Sequence, residues 1–272
     1  MQDDEATHDH HIGPRDVTTW TTDFGRWLAR VGLRLASWAG AHVALAITLG
    51  LGLGIALAAT WGTGEVYDAV VQRNDLAVLD QPALDLAVSL RTPTLDTVVT
   101  AFTNVGGPVG MPILATLAVL VMSWQWRSWT PVVLVALAAA GSLAMTVAGK
   151  DLTGRTRPPL DLAVPPYETS PSFPSGHALN SVVVTGVVVY LVLLHLHRKR
   201  TRTTVVVAGL VFALAIGLSR VFLGHHWLTD VVAGWLLGLG WLAVVVTAHR
   251  LHLTVRRAGA PAAPAHQVNQ TG

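Results

Sequence analysis

Residues 204–249 read TVVVAGLVFALAIGLSRVFLGHHWLTDVVAGWLLGLGWLAVVVTAH: two apolar runs, 204–223 and 228–249, meeting around the polar strip Ser219-Arg-Val-Phe-Leu-Gly-His-His-Trp-Leu-Thr-Asp230. Each run reaches the roughly 20 residues that a helix needs to cross the hydrocarbon core of a bilayer. Neither alternates apolar with polar residues, as the strands of a membrane barrel do. The pair predicts two transmembrane helices joined by a short connection. An arginine, two histidines and a carboxylate at the edge of a span are costly, and they call for a chemical reason. Asp230 follows His226 by four residues, so on a helix the carboxylate and the imidazole lie one turn apart on one face. A carboxylate accepting from one imidazole nitrogen leaves the other free to attack. His225 points about 100° away on such a helix.

Working outward, four more apolar runs cover 39–61, 108–126, 130–149 and 177–197. The expected fold is therefore all-α, an integral membrane bundle of six transmembrane helices with amphipathic extramembrane helices. Composition agrees: of 272 residues 51% are hydrophobic and only 12% charged, where a soluble domain carries roughly 25% charge. Without a single cysteine, disulfides and thiolate metal ligation are excluded. The expected organisation is a disordered N-terminal tail over 1–15, a basic amphipathic interfacial helix over 16–38, a six-span domain over 39–250, and a disordered C-terminal tail over 251–272. The first tail holds an acidic Asp3-Asp4-Glu5 and a His8-Asp9-His10-His11 cluster, which reads as solvated. In the second segment Trp20, Phe24, Trp27, Val31 and Leu35 recur at helical spacing while Arg26, Arg30 and Arg34 fall every fourth residue, a pattern that suits an anionic membrane surface or the positive flank of the first span. Some 45 residues, rich in acids and broken at Pro82 and Pro93, separate the first two runs and predict one or two short amphipathic helices outside the membrane.

Cation placement sets orientation. With a cytoplasmic N-terminus, Arg15, Arg26, Arg30, Arg34, Arg127, Arg198, Lys199, Arg200, Arg202, Arg250, Arg256 and Arg257 fall inside, 12 of the 18 basic residues. By the positive-inside tendency both termini are cytoplasmic. Of the six cations left outside, Lys150, Arg155, Arg157 and Arg220 sit in or beside polar motifs. In the first, Lys150 precedes Arg157-Pro158 by seven residues, a spacing that two helical turns would return to one face, although Gly154 interrupts it. Arginine offers a planar fork of donors and lysine a movable point charge, a combination suited to phosphate. In the second, Pro174-Ser175-Gly176-His177 opens the fourth run. Ser175 is a candidate N-cap, Gly176 permits close backbone approach, and the free amides of a helix start attract an anion. The third is the opening strip, where Arg220 adds a cation and Ser219 a hydroxyl. Each motif alone has an ordinary reading as a cap or a flank. Together they are expected at one face of the membrane, and that set fits phosphoryl transfer.

Lys150-x6-Arg157-Pro158, Pro174-Ser175-Gly176-His177 and Ser219-Arg220-x5-His226-x3-Asp230 resemble the three blocks of the type-2 phosphatidic acid phosphatase family, in order and without substitution in a named position. The resemblance covers about residues 40–250 and implies a membrane lipid phosphatase; the family also includes vanadium haloperoxidases and glucose-6-phosphatases. It implies that His226, oriented by Asp230, forms a phosphohistidine while His177 protonates the leaving group. It further implies that Lys150, Arg157, Ser175, Gly176 and Arg220 hold the phosphate, with no metal ion and no cofactor. The expected partners are a lipid phosphate substrate (phosphatidic acid, phosphatidylglycerol phosphate or a polyprenyl diphosphate) and the bilayer, and not nucleic acid. Oligomeric state is left open. The expected location is the plasma membrane of a bacterium, multi-pass, with the site on the periplasmic or extracellular side. Other readings stay open at this point: a lipid phosphotransferase with the same intermediate, a metal hydrolase on His177, His226 and Asp230, and a non-catalytic lipid-binding or transport protein.

Overall fold

The computed structural model describes residues 11–12, 15–16, 18–39, 50, 54 and 77–259. Most of the first expected span, 39–61, and most of the N-terminal tail lie outside these residues. Apart from a two-residue antiparallel pair, β1 (His11–Ile12) with β2 (Arg15–Asp16), the described elements are helical. They are α1 (Asp23–Ala39), α2 (Asp80–Ser89), α3 (Pro93–Val105), α4 (Gly110–Trp126), α5 (Thr130–Thr153), α6 (Gly176–His195), α7 (Lys199–Phe222) and α8 (Leu228–Gly259), with single 3₁₀ turns at Ala77–Leu79 and Leu160–Leu162.

Among the described residues, α5, α6, α7 and the Leu228–Arg256 part of α8 are long and apolar enough to cross a membrane. The run expected over 108–126 behaves differently: α4 has 17 residues, about 26 Å at 1.5 Å per residue, and it meets α3 at a bend of 48°. If the two form one broken span, the described residues hold five candidate spans, and otherwise four. The expected count of six is not reached among the described residues, most of the first expected span lying outside them. Both prolines of the acid-rich segment lie at helix starts instead of breaking helices. Pro82 lies in the first turn of α2, and Pro93 opens α3 behind Thr92, whose Oγ1 accepts from Leu95 N at 3.2 Å. A proline in the first turn lacks only an N–H that has no partner there anyway.

The bundle packs around α6, which is covered by α5, α7 and α8. Its Leu179, Val183, Val187 and Leu191 are buried against Ala138 and Met145 of α5 and Trp241 and Val245 of α8. Tryptophans of α8 lie on glycines of its neighbours: a Cβ on Gly141 would stand 2.2 Å from the Trp241 ring, and Trp241 Nε1 donates to Ala138 O at 3.1 Å. With no aqueous driving force between helices in lipid, such small-residue contacts let the elements approach closely.

Two boundaries differ from expectation. α1 starts at Asp23, not at residue 16, because Thr22 Oγ1 accepts from Gly25 N at 3.1 Å and caps it. Residues 251–259, expected to belong to a disordered tail, continue α8 as helix. The reason is cover by α1: Leu251, Leu253 and Val255 are buried, Trp20 Nε1 donates to Thr254 Oγ1 at 3.2 Å, and Arg250 lies 4.6 Å over the Trp20 ring. α1 is therefore docked on the end of α8, while Phe24 and Trp27 remain exposed.

Candidate active site

Three connections at one end of the bundle bring the motifs together. α5 ends at Thr153 with Lys150 in its last turn, and Gly154 caps it in the left-handed region at φ 56°. Arg157 is thus not on the helix with Lys150, as two continuous turns would have had it. Loop contacts unite them instead: Lys150 Nζ donates to Ser170 Oγ at 2.9 Å and to Pro171 O, and Arg157 donates from Nε to Ser170 O at 2.7 Å and from Nη1 to His225 O at 2.5 Å. α6 opens at Gly176 behind a buried Ser175, whose Oγ accepts from Ala178 N at 3.5 Å and whose amide donates to Asp230 O at 3.1 Å. Ser175 is the expected cap.

α7 ends in a turn through Gly224 (φ 70°), and the amides of His225 and His226 both donate to Arg220 O. α8 begins only at Leu228, so His226 precedes the helix that carries Asp230. The pair forms by a capping geometry and not by helical periodicity. Asp230 Oδ2 accepts from Trp227 N at 3.0 Å, stands 3.5 Å from His226 Nδ1, and accepts from Ser172 Oγ at 2.5 Å. The other ring nitrogen, His226 Nε2, lies 3.3 Å from Arg157 Nη1. With Nδ1 protonated toward Asp230, Nε2 carries the lone pair and accepts from the guanidinium. Burial pushes His226 down to about 4, against the opposing pull of Asp230, so the ring is neutral at neutral pH.

Two arginines, Arg157 and Arg220, lie near enough to act on this ring. Arg220 is buried; its Nη2 and Arg157 Nη2 both donate to Glu168, the latter at 2.8 Å. Burial alone would raise the Glu168 carboxyl, but Arg220 and then Arg157 hold it down at about 2. Arg220 Nη1 reaches Thr103 Oγ1 of α3 at 3.3 Å, and Arg220 Nε is buried without a hydrogen-bond partner among the described residues. His177, the second residue of α6, is partly buried and lies near Arg220 and Glu168. The structure therefore gathers Lys150, Arg157, Ser175, Gly176, His177, Arg220, His226 and Asp230 at one end of the bundle.

Two polar residues of the strip serve the scaffold. Ser219 Oγ, expected to add a hydroxyl for the anion, instead donates to Ile216 O at 2.6 Å and meets Thr103 Oγ1 at 2.8 Å. His225 Nε2 donates to Val164 O at 2.6 Å and ties the 160–166 loop to the strip; burial, then Arg220, keep its ring below the ordinary value. The sequence reading missed Glu168, Ser172, Arg155 and Asp80. Arg155 was visible as a third cation between Lys150 and Arg157. Asp80 opens the short helix α2 and Glu168 lies in the loop before α6, and no spacing marks either.

Comparison with known proteins follows the same residues. The model of the PAP2 superfamily matches residues 129–253. Phosphatidylglycerophosphatase B of Bacillus subtilis is 32% identical over 173 residues, covering 63% of this chain and 83% of its own. An undecaprenyl-diphosphatase of Sulfolobus acidocaldarius is 40% identical over 78 residues, 29% of this chain and 33% of that protein. The crystal structure of a transmembrane PAP2-type phosphatidylglycerolphosphate phosphatase from Bacillus subtilis superposes with a TM-score of 0.62 at 28% identity, over 70% of this chain and 93% of that one.

Proposed function

The chain belongs to the PAP2 superfamily, and on that premise we propose a phosphatase that works at the outer face of the membrane through a phosphohistidine on His226. It is a multi-pass membrane protein and a phosphoric ester hydrolase acting on lipid phosphates. Substrate, intermediate and sidedness are our reading. The observation that carries it is the division of labour at His226, with Nδ1 turned to Asp230 and Nε2 into the Arg157 fork.

A phosphate monoester enters between Lys150, Arg157, Arg220 and the amides that open α6. Glu168 cancels one of the three positive charges, so two remain to meet a phosphate dianion. His226 Nε2 attacks phosphorus in line, and the bond to the lipid oxygen breaks with its electron pair on that oxygen, which takes a proton from His177. The imidazole gains positive charge as the N–P bond forms, and Asp230 stabilises it through Nδ1–H. Water then gives a proton back to His177 and attacks phosphorus, and the N–P bond breaks to leave His226 neutral. The cations stabilise the equatorial oxygens in both steps.

The lipid chain has a place beside the site. An apolar groove of about 470 Å³ runs between α6, α7 and α8, lined by Val182, Gly186, Leu210, Val232, Trp235 and Leu239. It begins at Val232, two residues from Asp230. Phosphatidylglycerol phosphate is the first substrate to test, since the relative matched over most of its length is a phosphatidylglycerophosphatase, whereas the undecaprenyl-diphosphatase is matched over a third. Inside-positive cation placement supports cytoplasmic termini and a site on the outer side. The test is phosphate release by purified protein in mixed micelles from phosphatidylglycerol phosphate, phosphatidic acid and a polyprenyl diphosphate, with EDTA present. Release fastest from phosphatidylglycerol phosphate is the expected result. A strict requirement for added divalent metal, or no release from any of the three, contradicts the reading.

A further inference from the structure

Behind the His226–Asp230 pair lies a second, deeper arrangement of charge. Arg155 has only 9% of its side chain exposed and sits between two carboxylates, with Nη1 2.5 Å from Asp230 Oδ1 and Nη2 2.7 Å from Asp80 Oδ2. Asp80 opens the extramembrane helix α2, 150 positions before Asp230, and is itself buried. Thr229 closes the cluster: its amide donates to Asp80 Oδ1 at 2.8 Å, its hydroxyl to Asp80 Oδ2 at 2.8 Å, and it accepts from Arg155 Nη1 at 2.7 Å. None of these groups lies where the phosphate is expected. Buried ionic groups of this kind need both geometry and satisfied hydrogen bonds to be tolerated, and here both are supplied by three separate parts of the chain.

We infer that Asp80 and Arg155 are positioning residues for the nucleophile, forming a chain Asp80–Arg155–Asp230–His226. The inference rests on His226 being the group that attacks. The physical argument has two parts. Arg155 fixes Asp230 Oδ1, which leaves Oδ2 as the oxygen that faces His226, Ser172 and Trp227. A carboxylate held at one oxygen cannot rotate away from the imidazole it orients. Arg155 alone, however, would cancel the charge of Asp230 as felt at His226, and the imidazole needs that charge when it turns cationic during attack. Asp80 restores it: two carboxylates and one guanidinium leave a net charge of −1 beside the ring. Electrostatic stabilisation aimed at charge that develops only in the transition state raises turnover without tightening substrate binding.

This arrangement gives α2 a task beyond covering the bundle. Its first residue caps the start of α8 through Thr229 N and reaches the nucleophile through one guanidinium. A displacement of α2 would therefore change the rate of phosphoryl transfer, with no effect on the cradle of Lys150, Arg157 and Arg220.

The experiment uses the full chain in mixed micelles with phosphatidylglycerol phosphate labelled in the terminal phosphate. It reads the single-turnover rate of enzyme labelling beside the inhibition constant of inorganic phosphate, which reports the cradle. Arg155→Met is expected to slow labelling about 100-fold, the scale of a misplaced catalytic group, with phosphate inhibition within twofold of wild type. Arg155→Lys, which keeps a charge but cannot bridge both carboxylates, should recover part of the rate. Asp80→Asn should slow labelling about tenfold, on the order of one weakened electrostatic contribution. The double variant Asp80→Asn/Arg155→Met should be no slower than Arg155→Met, because Asp80 acts through the guanidinium. If Arg155→Met does not fold, Asp80→Asn carries the test with Thr229→Val, which removes one hydroxyl. Unchanged labelling in these variants, losses matched by weaker phosphate inhibition, or multiplicative losses in the double variant overturn the relay while the phosphohistidine stands. Absence of label on the wild type overturns the phosphohistidine and the relay with it.

Discussion

At the C-terminal end of α5 the guanidinium of Arg155 is closed in by Asp80, Asp230 and Thr229, and that of Arg157 by Glu168, Ser170 and His225. At the opposite end of the bundle, where α6 passes into α7, Arg198, Lys199 and Arg200 stand exposed at the N-cap and the first residues of a helix. The residue types are the same and the physics differs. A buried cation is held in one geometry by several acceptors and acts on a particular atom. An exposed one keeps its hydration, is screened by salt, and acts through the sum of charge on its side of the membrane. Chemistry and topology are thus written with one alphabet at opposite ends of the bundle.

The comparison breaks first at His226. His226→Ala should lower phosphate release about 10⁴-fold or more, the scale of losing a nucleophile, while the purified variant keeps the wild-type melting temperature within a few degrees. Arg157→Lys comes next. It removes the fork that meets Glu168, Ser170 and His226, so kcat/KM should fall about 10²-fold, read in the same assay. Because burial lowers the His226 ring to about 4, the neutral nucleophile persists below the ordinary histidine value near 6.5. An NMR titration of the substrate-free enzyme should therefore show the His226 ring neutral from pH 7 down to pH 5.5, and protonation of that ring centred near 6.5 would contradict the assignment.

How far the sequence carried the molecule depends on the kind of signal. Apolar runs of about 20 residues located α5, α6, α7 and α8, because burial in lipid leaves a continuous mark. The three polar blocks, which meet at one end of the bundle, were legible for a related reason, since ionisable groups at span ends stand out against an apolar background. The capping geometry at Asp230 was not legible: four residues on suggested one face of a helix, whereas the chain places His226 before the helix starts. Nor was Asp80, since one carboxylate in an acid-rich segment has no mark that ties it to Arg155 from 75 positions away. The helical residues 251–259 were hidden because their cover comes from α1, at the other end of the chain.

Smaller effects sharpen the contrast between scaffold and site. Gly141→Ala forces a Cβ against Trp241 and should cost about 1–3 kcal/mol in stability. A lower melting temperature in detergent with unchanged turnover per folded molecule is the expected outcome. Smallest of all, Arg200→Gln at the end away from the site should leave phosphate release within about twofold, as exposed charges contribute little individually. A large loss there would mean that the two ends are not independent.

The most direct test of the central claim is to quench the wild-type enzyme with labelled phosphatidylglycerol phosphate within the first turnover and map the label. An acid-labile, alkali-stable phosphoryl group on the peptide carrying His226, formed in the presence of EDTA and released as inorganic phosphate at the rate of turnover, is the predicted result. Turnover at the full rate with no label on His226, or with label on another residue, would contradict it.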